Sequence, residues 1–107
     1  MEDERPRTEG GQAADVAASQ PLPDAPALVT TCLSLLAAKA WEAMGLVPNP
    51  ATHAVERKLD DAQLAIDAAA ALAEVIRPRV SESERREIET LVTNLRLNFV
   101  EQKRKTP

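Results

Sequence analysis

The longest apolar stretch of the chain runs from Ala27 to Met44 and is broken only late, by Lys39 and Glu42. At about 100° per residue, Leu28, Val29, Cys32, Leu33, Leu35, Leu36, Ala40 and Met44 spread over about 200° of a helix surface. An ordinary amphipathic helix needs roughly half that arc. The spacing predicts a helix over 25–44, opened by Asp24 as N-cap with Pro26 in the first turn. Gly45 stops it as a C-terminal glycine, and Pro48 and Pro50 prevent continuation. The opposite side (Thr30, Thr31, Ser34, Ala38, Trp41) is only weakly polar, so the helix is expected to be buried on more than one side.

A second periodic segment predicts a helix over 57–76. Leu59, Ala62, Ile66, Ala69, Leu72, Ala73 and Ile76 share a face, and Leu64, Ala68 and Val75 widen it. The run Ala68 to Ala71 favours helix and lets another backbone come close. Pro78 ends the element. The third segment, 82–102, opens on a capping box, Ser81 with Glu84. Its core stripe is Ile88, Leu91, Val92, Leu95 and Phe99, while Leu97 and Val100 point elsewhere. Glu82, Glu84 and Glu87 stand at the positive end of the helix dipole, and Lys103, Arg104 and Lys105 follow its negative end. Between the first two helices, residues 45–56 read as a turn-rich loop beneath which Leu46 and Val47 tuck.

The pattern therefore predicts an all-α fold, a three-helix antiparallel arrangement within residues 25–102. It is flanked by a disordered acidic tail (1–24) and a basic tail (103–107). Aromatic content of 2% requires an aliphatic, alanine-rich core, which suits close-packed helices. Of the 17 acidic and 13 basic residues, six acids and two bases fall in 1–24, so the net charge of −4 belongs to that tail. The neutral remainder argues against nucleic-acid binding through Arg85, Arg86, Arg96 and the basic tail. Lys39 and Glu42 make the first apolar run too short for a membrane span. The acidic opening does not resemble a secretory leader, so a cytoplasmic location is expected.

Little chemistry is legible. A single cysteine excludes an internal disulfide, and Cys32 on an apolar face reads as a core thiol rather than a nucleophile. His53, the one histidine, has no Asp, Ser or Cys at a spacing that builds a site. Asp60, Asp67 and Glu74 repeat every seven residues, which places neighbours about 10.5 Å apart along a helix, too far to share an ion. No catalytic, cofactor-binding or metal-binding residues are assigned, and no cofactor is implied. Asp67 and Arg96 are the candidates if the protein is a small enzyme or regulator.

Several of these residues together resemble a bacterial domain-of-unknown-function family, the one numbered eighteen forty-four. The resemblance spans about 27–101. It rests on Leu33-Ser34-Leu35 with Ala40, Met44-Gly45, Pro48-Asn49-Pro50, Leu59, Ala62 and Ile66-Asp67. Further along come Ser81 with Glu84 and, most specific, the closing run from Asn94 through Leu95-Arg96-Leu97 to Phe99-Val100-Glu101. Ile76-Arg77-Pro78-Arg79-Val80 departs from the family's usual Lys, Thr, Gly and Asn, which leaves the shape of that turn open. The resemblance implies a small helical protein without an assigned activity and brings no catalytic residues. The wide apolar arcs of the first two helices lead to the functional expectation of a non-enzymatic module that self-associates, as a dimer completing a helical bundle, or binds another protein. The expected interface is Leu33, Ala37, Ala40, Trp41, Met44, Leu97 and Val100.

Overall fold

In the computed structural model, residues 21–105 are described. They form helix α1 (Ala25–Ala43), helix α2 (Leu59–Ile76), a one-turn 3-10 helix (Arg77–Arg79) and helix α3 (Glu82–Lys105). The acidic tail expected over 1–24 lies almost wholly outside the described residues.

Local chemistry sets the ends of α1. The Asp24 carboxylate accepts a hydrogen bond from the Ala27 N–H at 3.1 Å, and Pro26 occupies the first turn. At the other end Gly45 takes φ +79°, a left-handed conformation that L side chains rarely adopt. This turns the chain so that the Gly45 N–H reaches the Glu42 carbonyl at 3.0 Å and the Leu46 N–H reaches Trp41 at 3.1 Å. Both bonds satisfy carbonyls that the helix end leaves open, the Schellman arrangement.

The loop that follows is closed at both ends. Met44 and Arg57 pair in an isolated antiparallel bridge, and the Lys58 N–H donates to the Ala43 carbonyl at 2.7 Å. Within it, Asn49 is the hub: its side chain accepts from Ala51 and Thr52, while its backbone bonds Ala54 and His53. Leu46 and Val47, expected beneath the loop, are instead exposed. Met44, at the closed end of the loop, is the residue that is fully buried, within the helical core.

Helix α2 begins at Leu59, two residues later than the spacing suggests, because 57–58 are held in the bridge to α1. The turn left open by the sequence is the 3-10 helix carrying Pro78, after which the capping box forms. Ser81 Oγ accepts from the Glu84 N–H at 3.1 Å, and Glu84 Oε1 accepts from the Ser81 N–H at 3.2 Å. Helix α3 runs on through Lys103, Arg104 and Lys105, expected as tail, since these are good helix formers placed at the negative end of the dipole.

Helices α1 and α2 form the most extensive contact, α3 packs mainly on α2, and α1 meets α3 least. The α1–α2 contact is made of alanines: Ala37, Ala40 and Ala43 on one side, Ala62, Ala65 and Ala69 on the other, all buried. Small side chains let the two backbones approach closely. Met44, Ile66 and Leu95 fill the centre, with Leu36, Trp41, Leu91 and Phe99 partly buried around them. Burying a Leu or Met side chain completely contributes about 1.5–3 kcal/mol, so Leu33, Met44 and Leu95 are the strongest individual anchors. The shortest dimension of the molecule is 20 Å, about two helix diameters. Helix α3 thus lies over one side of the α1–α2 hairpin.

Candidate functional site

The seven residues expected at an interface do not form one surface. Leu33, Ala37, Ala40 and Met44 are buried within the chain, at 4% exposure or less. The flank of α1 that the sequence left without a partner is the one on which α2 and α3 pack. Trp41 is half-buried against that core. Leu97 and Val100 are exposed, at 64% and 55%. They stand on the outer side of α3, about 200° and 140° around from the buried Leu95.

A different part of α1 is bare. Cys32, expected in the core, is an exposed free thiol, and Leu35 is 65% exposed. Helix α2 adds Leu64 at 71% and Val75 at 64%, with exposed Ala71 and half-buried Ala68 between them. The arcs are as wide as the sequence indicates; the covered and uncovered parts are allotted differently.

Asp67 and Arg96 come together in a second feature, a groove of about 580 Å³ between the C-terminal half of α2 and the N-terminal half of α3. Ala70, Ala73, Ile88 and Val92 supply its apolar lining. Charges at its edge largely pair with one another. Arg77 Nη2 bonds Glu74 at 2.7 Å and lies 3.6 Å from Glu89, and Arg85 pairs with Glu82. Among the described residues Asp67 and Arg96 have no hydrogen-bond or ion-pair partner. Exposed pairs of this kind contribute about 0–1 kcal/mol each, so the rim is a weakly held, nearly balanced set of charges. His53 lies elsewhere, exposed in the loop with φ 60°. No cluster of three or more His, Cys, Asp or Glu that could hold a metal occurs among the described residues.

Two polar residues that sequence reasoning missed are joined at the loop end of the hairpin. Arg57 Nη2 donates to Gln102 Oε1 at 2.8 Å, and Gln102 is only 5% exposed. No local signal marks either residue, since they are 45 positions apart. Lys39, hydrogen-bonded to Glu42 at 2.7 Å, has its ammonium pKa raised above the ordinary 10.5, through that bond and then through the charge of Glu42. Arg85 is raised by Glu82 in the same way.

No described helix is long and apolar enough to cross a membrane. No curated protein and no solved structure matches the chain. A family model does match, over residues 26–101, covering α1, α2 and nearly all of α3. The Met44-Gly45 turn, the Asn49 hub, the Ser81–Glu84 cap and the buried Leu95, on which the resemblance read from the sequence rests, are structural features here. The chain therefore belongs to the domain-of-unknown-function family DUF1844.

Proposed function

We propose that this protein is a cytoplasmic, non-enzymatic helical module that acts by binding another protein chain, in the first place a second copy of itself. The supporting observation is the row of large apolar side chains left exposed on α1 and α2, where Leu35, Leu64 and Val75 are each more than 60% exposed. Single exposed apolar residues are ordinary, whereas a contiguous apolar patch on a small domain marks an interaction surface. The test is the solution mass of the full chain by light scattering at tens of micromolar. Twice the chain mass of 11.6 kDa is expected, and a clean single-chain mass overturns self-association.

A second reading, a small enzyme or regulator working through Asp67 and Arg96, is favoured by one observation: both residues line the same groove. It calls for a ligand carrying both signs of charge. A panel of charged metabolites screened by thermal shift tests it. A compound that raises the melting temperature of the native chain, but not of the chain with Asp67→Ala and Arg96→Ala together, supports this reading. No stabilising compound, or one that stabilises both chains equally, removes it.

A further inference from the structure

We infer that the groove between α2 and α3 binds a free α-amino acid with an apolar side chain, its ammonium on Asp67 and its carboxylate on Arg96. This specifies the second reading proposed above and rests on it.

One bridge fixes the register of the two walls. Arg77, at the turn that joins them, bonds Glu74 of α2 at 2.7 Å and lies 3.6 Å from Glu89 of α3. Asp67 stands seven residues before Glu74, and Arg96 stands seven residues after Glu89. Seven residues are about two helical turns, so each side chain returns to nearly the same direction about 10.5 Å farther along its helix. Both steps lead away from the connecting turn. Asp67 and Arg96 therefore stand at the same height on opposite walls, and both line the groove.

The two levels differ in how their charges are met. At the turn, Glu74, Arg77 and Glu89 satisfy one another. At the outer level Asp67 and Arg96 have no ion-pair partner among the described residues, although they face each other. Between the two levels the lining is Ala70, Ala71, Ala73, Val92 and Thr93, none of them ionisable. The groove thus offers one carboxylate and one guanidinium at its outer level, an uncharged floor about 10.5 Å long, and an inner end whose charges are already paired.

An α-amino acid carries the complementary set. Its ammonium has three N–H donors for the Asp67 carboxylate, and its carboxylate, on the same carbon, accepts two parallel N–H bonds from Arg96. Its side chain then lies along Ala70 and Val92 toward the turn. A charged side chain would point at groups that already have partners, so an apolar one fits the floor. Other sources of these groups match less well. A residue inside a peptide has neither charge, and a chain end has only one. A trimethylammonium headgroup has no N–H to give Asp67. The volume of about 580 Å³ lies within the range of small-molecule sites, about 300–1,000 Å³.

The test is titration of the isotope-labelled full chain with L-leucine and L-phenylalanine, followed by NMR. Saturable shifts centred on Asp67, Ala70, Val92 and Arg96 are expected. Glycine, which lacks the side chain, 4-methylpentanoate, which is leucine without its ammonium, and 3-methylbutylamine, which is leucine without its carboxylate, are each expected to bind about 10-fold more weakly or worse. Asp67→Asn and Arg96→Gln, both at exposed positions, are expected to keep their helical circular dichroism and to weaken leucine binding by a similar factor. Leucine binding that is unchanged in both variants overturns the inference, and so does glycine or phosphoethanolamine binding as tightly as leucine. A charged compound of another class that stabilises the native chain but not the chain with Asp67→Ala and Arg96→Ala together, while no amino acid binds, overturns this ligand and leaves the second reading standing. No binding by any of these compounds overturns both.

Discussion

Arg57, at the end of the loop, donates from Nη2 to Oε1 of Gln102 near the end of α3, at 2.8 Å, and Gln102 is the one buried polar residue among those described. Arg57 is also the residue whose backbone bridges Met44. One side chain therefore ties the α1–α2 connection to the far end of α3. Hydrogen bonds to a charged group contribute about 1.5–3 kcal/mol.

Arg57→Ala is accordingly expected to lower the unfolding free energy by about 1.5–3 kcal/mol in urea denaturation at fixed protein concentration. Gln102→Ala is expected to have a similar effect. The double variant is expected to lose clearly less than the two single losses combined, since both remove the same contact. Fully additive losses would show that each residue acts through other neighbours.

Much of the fold is legible in the sequence because its signals are local. Asp24 and Pro26, Gly45, Pro78 and the Ser81–Glu84 box each act within about four residues, and each does in the structure what its chemistry dictates. The stripe from Ile88 to Phe99 is legible for the same reason, since it is narrow and has a single inward direction. The arcs of α1 and α2 are not. An arc of about 200° states how much surface is apolar, not which part a neighbour takes. Leu33, Ala37, Ala40 and Met44 went to α2 and α3, and Cys32 and Leu35 were left outside. The choice is set by the alanine seam, where the smallest residues of both helices let the backbones come closest. Of the groove, Asp67 and Arg96 are legible as isolated polar positions, but their meeting depends on the crossing of α2 and α3. The Arg57–Gln102 pair depends on closure of the whole chain.

Gly45→Ala isolates a backbone term. A methyl group built at Gly45 meets its nearest atoms at 3.6 Å, an ordinary van der Waals contact, so crowding does not oppose it. The cost comes from φ +79°, which disfavours an L side chain by about 1–2 kcal/mol. A loss of that size in urea denaturation, with the helical circular dichroism unchanged at zero denaturant, is the expected outcome. A much larger loss would mean that the turn opens and releases the loop.

The Lys39–Glu42 pair gives a pH dependence whose sign is fixed. The folded-state pKa of Lys39 lies above the ordinary 10.5, chiefly because the Glu42 carboxylate accepts its proton at 2.7 Å. The contribution of the pair is complete below the unfolded value and is lost as pH rises through the folded one. An NMR titration of the Lys39 side chain is expected to show a midpoint above 10.5 in the native chain, and Glu42→Gln is expected to bring it down toward that value. The ammonium is fully exposed, so the unfolding midpoint should scarcely move.

The alanine seam predicts an inversion of the usual ranking of core substitutions. Ala62 is completely buried and belongs to the same core as Ala40, which is equally inaccessible. A larger side chain at 62 has no void to enter and must push α1 from α2, or leave its preferred rotamer. Overpacking of this kind costs about 1–3 kcal/mol and occasionally more. Ala62→Leu is therefore expected to destabilise the chain by at least that amount, although it adds apolar surface and keeps a strong helix former. Leu97→Ala removes the same number of carbons from a position 64% exposed on the outer side of α3 and is expected to change stability by no more than about 0.5 kcal/mol. Both values come from urea denaturation at one fixed concentration, so that a difference in protein concentration does not enter the comparison. Equal effects from the two variants would mean that the α1–α2 contact can open to admit a leucine, and that backbone proximity through small residues is not what holds the hairpin together.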